Sequence, residues 1–121
     1  MNKGDIFIAT DKSKHPHPIV FLETLSEGKF KACILSTKGG HGNLKMSDTH
    51  FTKVDENRNE YTVTFKNSHL VPYRVFEKEE LWLSTQEPKG RLTEEGIRFI
   101  EKYTSDINSE YHPIPISKTI V

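Results

Sequence analysis

The amino-acid sequence predicts a mainly β fold of the α+β class, in which a small barrel of short strands precedes one C-terminal helix. Short apolar or alternating segments recur at close spacing, and residues that favour turns separate them, which is typical of small barrels. Only one segment, late in the chain, has the period of an amphipathic helix. The length of 121 residues predicts a single domain. We expect the barrel over about residues 3–83, the helix over about 93–106 and an extended tail over 109–121.

Composition restricts the kinds of partner that the chain can have. Seventeen basic residues balance seventeen acidic ones, so any contact with nucleic acid depends on a local basic patch. The single cysteine, Cys33, excludes an internal disulfide framework, and its apolar surroundings predict a buried side chain. No segment has the length of a membrane span or the pattern of a signal peptide. We therefore expect a cytoplasmic protein with no membrane partner, no cofactor and no metal.

The first three strands are predicted around a polar loop. Asp5–Thr10 is a short alternating strand, and Pro18–Glu23 is a strand whose apolar residues occupy both pleat faces, as in a strand covered on both sides. Between them, Asp11–His17 is a charged loop in which the prolines favour extended backbone. A hairpin turn at Ser26–Lys29 leads into a third strand, Phe30–Leu35. We expect the loop to form one wall of a functional site.

The middle of the chain alternates between loops and strands. Lys38–Asn43 contains three glycines and predicts an unusually turned loop, and Leu44–Met46 predicts a short strand. Tyr61–Phe65 has the cleanest alternation in the chain and predicts a strand whose first, third and fifth side chains face the core. His69–Phe76 is extended, and Pro72 within it indicates an edge strand or a bulge.

The C-terminal part contains the helix. Glu77–Trp82 fits either a helical turn or the entry to a strand. Thr93 is the expected N-cap of the helix, because Glu94 and Glu95 follow it in the first turn, where the helix dipole favours acidic side chains. The helix is expected to end within Thr104–Asp106.

The order of these motifs resembles the MazF/PemK (Kid) family of toxin-like proteins. The resemblance rests on Gly4-Asp5-Ile6, on His17-Pro18-Ile19-Val20-Phe21-Leu22, on Ile34-Leu35-Ser36-Thr37, and on Gly90-Arg91-Leu92-Thr93-Glu94-Glu95, which is similar to the start of the family's final helix. It spans roughly residues 3–104. The resemblance implies an SH3-like barrel that acts as a dimeric, metal-independent endoribonuclease on single-stranded RNA and is neutralised by an antitoxin protein.

This chemistry requires a base for the 2′-hydroxyl, a cation for the phosphorane and an acid for the leaving 5′-oxygen. The resemblance places Ser36 and Thr37 at the family's Thr/Ser pair, and His17 where the family has arginine. The family has a second key arginine on a later strand, and Arg74 is the arginine nearest to that position. Its spacing from the expected position, three residues, puts Arg74 on the opposite pleat face from it. The candidate catalytic residues are therefore His17, Arg74 and Thr37. The candidate substrate-binding residues are Lys14, His15, Ser36, Lys38, His41 and His69.

A second interpretation assigns the same residues to a binding protein without catalytic activity. An SH3-like module could bind RNA, a peptide or a partner protein through these loops, and the balanced charge favours that reading. Loop histidines are often only solvated, and Arg74 could equally pair with Glu77 or Glu79. Exposed strand edges and the apolar end of the chain make a homodimer an expectation in either case.

Overall fold

A computed structural model describes residues 2–8, 17–26, 28–83 and 86–111 of the chain. The fold is mainly β: six antiparallel strands form a sheet curled into a half-barrel, with one C-terminal helix. The strand order across this sheet is β4-β5-β3-β2-β1-β6, and β7 pairs in parallel with β5. The elements are β1 (Asp5–Ile8), β2 (Pro18–Thr24), β3 (Lys29–Ser36), β4 (Leu44–Lys45), β5 (His69–Glu79), β6 (Gly90–Arg91), α1 (Glu94–Thr104) and β7 (Ser109–Tyr111).

Strand β2 lies in the middle of the sheet and is buried on both faces, as its unbroken apolar run predicted. Val20 and Leu22 pack into the cluster that contains Ile100 of α1. Ile19 and Phe21 pack on the other face, where the rings of Phe21 and Phe30 stack with their centroids 5.7 Å apart. Strands β1 and β2, on either side of the predicted loop, pair antiparallel. None of the described helices is long and apolar enough to cross a membrane.

Strand β5 contains the bulge that Pro72 predicted. Leu70 pairs with Leu35 and Val75 pairs with Cys33, so the residues 71–74 of β5 lie opposite the one residue between Cys33 and Leu35 on β3. The edge-strand alternative is wrong, because β5 pairs with β3 on one side and with β4 and β7 on the other. A proline is tolerated here because a bulge interrupts the ladder of backbone hydrogen bonds.

The strand predicted over Tyr61–Phe65 is not formed. The expected alternation of burial is present, but the preceding residues fold back on themselves, with the Tyr61 N–H donating to the Lys53 carbonyl at 3.0 Å. Phe65 then packs by its side chain, stacked on Phe51 at 5.4 Å and seated over Gly90. Ring packing fixes this segment without a backbone ladder.

The helix begins and ends where the sequence predicted. The Thr93 hydroxyl accepts a hydrogen bond from the Gly96 N–H at 3.1 Å and donates to the Thr49 carbonyl at 2.7 Å. The Thr93 N–H also donates to the His50 carbonyl at 2.9 Å. The cap therefore fixes the start of α1 and docks it on the 3₁₀ turn Asp48–His50.

Lys78 is a buried cation on β5, with a side chain that is 1% exposed and a backbone paired with Phe30. Burial lowers the pKa of Lys78 to about 8, against a smaller opposing effect of Glu79. Between about pH 8 and pH 10.5 the Lys78 side chain of the unfolded chain therefore binds a proton that the folded chain has released, so Lys78 contributes a rise of the free energy of unfolding with pH.

We expect Lys78→Met to remove this contribution, so the difference in the free energy of unfolding between wild type and variant should grow with pH by up to about 3 kcal/mol for a shift of this size. Urea unfolding of both proteins at steps from pH 7 to pH 10.5 measures it. Parallel curves for the two proteins would show that Lys78 does not titrate in that range.

Candidate functional site

Polar side chains form a row across one end of the sheet. Ser36 pairs with His69, and His69 pairs on its other side with Lys45. The pairing of β2 with β3 begins at Ile19 and Ile34, and extending that register by two residues brings His17 opposite Ser36. Neighbouring strands lie about 4.8 Å apart, so the row spans roughly 14 Å. We call these four residues, His17, Ser36, His69 and Lys45, the polar row.

The polar row lies on the sheet face opposite α1. Leu35 and Leu70, the next residues on β3 and β5, are buried in the cluster under the helix. Directly paired residues share a face and successive residues alternate, so Ser36 and His69 point away from that cluster. Both are half-buried, whereas His17 and Lys45 are exposed. The polar row therefore combines two half-buried side chains in its middle with two exposed side chains at its ends.

The ring of His69 is oriented by a contact with the backbone. Its Nδ1 lies 3.1 Å from the Asn67 carbonyl oxygen. A carbonyl only accepts hydrogen bonds, so Nδ1 carries the proton and the Nε2 lone pair of the neutral ring is available as a base. Nε2 lies beside Gly39, where a Cβ atom would stand 3.3 Å from it. The absence of a side chain at Gly39 keeps the approach to this nitrogen open.

The glycine-rich loop after β3 is folded against the polar row. The Ser36 hydroxyl accepts a hydrogen bond from the Lys38 N–H at 3.1 Å, and the Asn43 side-chain amide donates to the Lys38 carbonyl at 3.0 Å. His41 and Gly42 both have positive φ, at 54° and 83°, and form a tight two-residue turn. Asn43 Oδ1 is buried with no hydrogen-bond partner among the described residues. The loop thus holds Lys38 beside Ser36 and leaves one acceptor unused.

Arg74 shares a face with Ser36, so the expectation from pleat parity is wrong. Val75 pairs with Cys33, which places Arg74 beside Ile34, two residues from Ser36 along β3. Its guanidinium carbon lies 4.9 Å from the ring centroid of Phe76, and Phe76 pairs with Ala32 on the same face. The bulge adds an odd number of residues to β5 and reverses the alternation between His69 and Arg74.

The structure therefore brings together part of the set that the sequence suggested. Ser36, Lys38 and His69 lie at one end of the sheet, Thr37 follows Ser36 in an exposed position, and Arg74 faces the same side. His41 is exposed at the tip of the glycine-rich loop. Lys14 and His15 lie outside the described residues.

Sequence reasoning missed the contributions of Lys45, Asn67 and Gly39. The Lys45 ammonium lies 3.3 Å from the Lys66 carbonyl and 3.5 Å from Asn67 Oδ1, next to His69. The pairing of β4 with β5 produces this arrangement, and no local motif encodes that pairing. Lys38, Lys45 and Lys66 together give this end of the molecule the local basic character that the neutral composition left open.

His50 has a structural role. Its Nδ1 accepts from the Ser47 N–H at 3.0 Å, and its ring packs on Phe99 with centroids 4.6 Å apart. Its Nε2 lies 3.8 Å from a carboxylate oxygen of Glu95 on α1. Within the described ranges, no group of three or more His, Cys, Asp and Glu side chains is placed to hold a metal ion.

Neither a known family model, nor a curated protein, nor a solved structure matches this chain. The class of protein must therefore be inferred from the geometry of the polar row and its loop.

A methyl group at Gly39 tests whether access to His69 matters. Gly39 has no positive φ, so alanine fits its backbone, but the added Cβ would crowd Nε2 at 3.3 Å. If His69 acts on a substrate, we expect Gly39→Ala to lower the rate at least about 10-fold, since small displacements of reacting groups are costly. The thermal midpoint should change little. An unchanged rate on that substrate would exclude an approach to His69 past Gly39.

Proposed function

We propose that this protein is a metal-independent endoribonuclease of the MazF/PemK type, with an SH3-like barrel that cuts single-stranded RNA. The observation that carries the proposal is the polar row, in which His69 pairs with Ser36 and the extended register of β2 with β3 brings His17 to the other side of Ser36. Two imidazoles separated by two strand spacings, about 10 Å between Cα atoms, leave room for a phosphodiester between their rings.

The proposed reaction is transesterification within the RNA. His69 Nε2 removes the proton from the 2′-hydroxyl, whose oxygen attacks phosphorus. The bond from phosphorus to the 5′-oxygen breaks as protonated His17 donates its proton to that oxygen. The products are a 2′,3′-cyclic phosphate and a 5′-hydroxyl, so no water or metal is consumed in this step.

The remaining groups have charge-stabilising and positioning roles in this proposal. Lys38 and Arg74 supply positive charge for the phosphorane, which gains negative charge as the nucleophile attacks. The hydroxyl groups of Ser36 and Thr37 donate to the non-bridging phosphate oxygens. Lys45 holds an adjacent phosphate of the strand by charge attraction.

The partners of the proposal follow from the same resemblance. The protein would act as a homodimer in the cytoplasm and be neutralised by an antitoxin that covers the polar row. Induced expression would then stall the growth of the host cell, and a cleavage-deficient variant would relieve the stall.

Incubation with single-stranded RNA in excess chelator tests the proposal. We expect cleavage of the single strand, slower cleavage of a duplex and none of a 2′-deoxy strand, which lacks the nucleophile. Binding of the ribose strand without cleavage would instead favour a non-catalytic SH3-like binding module. That alternative has one argument of its own, the balanced net charge.

A further inference from the structure

A hollow lies between residues 51–53 and 60–66, and its aromatic residues Phe51 and Phe65 pack against the cluster under α1. Its volume is about 450 Å³, within the usual range for ligand pockets. Its apolar wall consists of Phe51, Tyr61, Val63 and Phe65, all of them half-buried. Phe51 and Phe65 are stacked with a ring angle of 16°, and Gly90 leaves the space that Phe65 fills. We call this hollow the aromatic pocket.

Polar groups on the rim of the aromatic pocket match a nucleotide. Lys53 and Lys66 can attract the phosphates on either side of a base. Asp48 and Glu60 also line the pocket, and a carboxylate accepts hydrogen bonds from the exocyclic amino group of cytosine or adenine. Uracil has no such group.

The rim also connects the aromatic pocket to the polar row. Lys66 lines the pocket, and its carbonyl accepts a hydrogen bond from Lys45 at 3.3 Å. Asn67, the next residue, accepts the His69 Nδ1–H at 3.1 Å. A strand that leaves the pocket past Lys66 would therefore pass Lys45 and continue around the end of the sheet to His69 on the opposite face.

We propose that the aromatic pocket binds one unstacked nucleobase of a single-stranded RNA, with a preference for bases that carry an exocyclic amino group, such as adenine and cytosine, over uracil. The inference rests on the proposed function, because it places this base on the strand whose phosphodiester reaches the polar row. Aromatic faces accept any base by stacking, and the carboxylates on the rim then select among the bases.

Binding of 2′-O-methyl strands tests the inference without cleavage, because these strands lack the attacking hydroxyl. Fluorescein-labelled strands of eight adenosines, cytidines or uridines serve as probes in anisotropy titrations. We expect the adenosine and cytidine strands to bind at least about 5-fold more tightly than the uridine strand. Phe65→Leu should weaken the adenosine complex about 10-fold by removing a stacking face while keeping an apolar side chain.

Lys66→Glu should also weaken binding, whereas the matched control Lys102→Glu, on an exposed part of α1, should not. A nuclear magnetic resonance titration of the wild-type protein with adenosine monophosphate should shift the Val63 methyl signals. This experiment does not depend on whether the variants fold. Equal affinity for the three strands, unchanged binding by Phe65→Leu, unmoved Val63 signals or no binding at all would overturn the inference. Base-selective binding without cleavage of ribose strands would overturn the nuclease proposal alone.

Discussion

Replacing His69 with asparagine is expected to slow RNA cleavage by about 10²–10⁴-fold, the usual contribution of a general base or acid. Asparagine can still donate to the Asn67 carbonyl, as Nδ1 of the histidine does at 3.1 Å, but it has no basic nitrogen at the Nε2 position. The substitution therefore keeps the local hydrogen bond and removes the proton acceptor. Initial rates on a labelled single strand measure the loss.

The role of His17 needs a different substrate. His17→Ala should slow cleavage to a similar extent, and the rate should recover on a strand with a sulfur in place of the leaving 5′-oxygen, because a thiolate leaves without protonation. His69→Asn should not recover on that strand. RNA affinity should stay within about 3-fold in both variants. Wild-type rates in His69→Asn would show that this residue only supports the loop.

Replacing Gly96 with alanine is expected to destabilise the fold by about 1–3 kcal/mol, as overpacking does. In an ordinary helix the same change stabilises by about 1 kcal/mol, because alanine has the higher helix propensity. Here a Cβ atom would stand 2.3 Å from the His50 carbonyl oxygen and 3.1 Å from its carbon. That oxygen also accepts the Thr93 N–H at 2.9 Å, so backbone on both sides is fixed.

Urea denaturation at neutral pH measures the change. Arg98→Ala is the matched control, since this exposed side chain on the same helix makes a 3.9 Å ion pair with Glu94. We expect it to change stability by less than about 0.5 kcal/mol. A Gly96→Ala protein as stable as the wild type would mean that α1 does not pack this closely on the 3₁₀ turn.

The sequence predicted those features of the fold that depend on neighbouring residues alone, such as the burial of β2 and the start of α1. The apolar run of β2 indicated burial on both faces, because no polar side chain interrupts it. Thr93 and the acidic residues after it located the start of α1, since capping depends on neighbouring residues alone. The prediction of a strand over Tyr61–Phe65 was wrong, because alternation indicates only which side chains are buried. A strand also requires a neighbouring strand for its backbone hydrogen bonds.

The candidate site was less predictable because it depends on register. Ser36 and His69 become neighbours only through the pairing of β3 with β5, and Lys45 joins them through β4. A bulge near Pro72 was expected, but its size decides which face Arg74 occupies, and no sequence signal gives that size. Types of residue were therefore easier to predict than their relative positions.

Mass spectrometry of the RNA products tests the central claim most directly. Wild-type protein is incubated with a single-stranded oligonucleotide in excess chelator, and the ends of each fragment are identified. The polar row predicts a 2′,3′-cyclic phosphate on the upstream fragment, a 5′-hydroxyl on the downstream one, and neither with His69→Asn. Intact RNA, cleavage that requires added metal, or fragments with a 5′-phosphate would contradict the account.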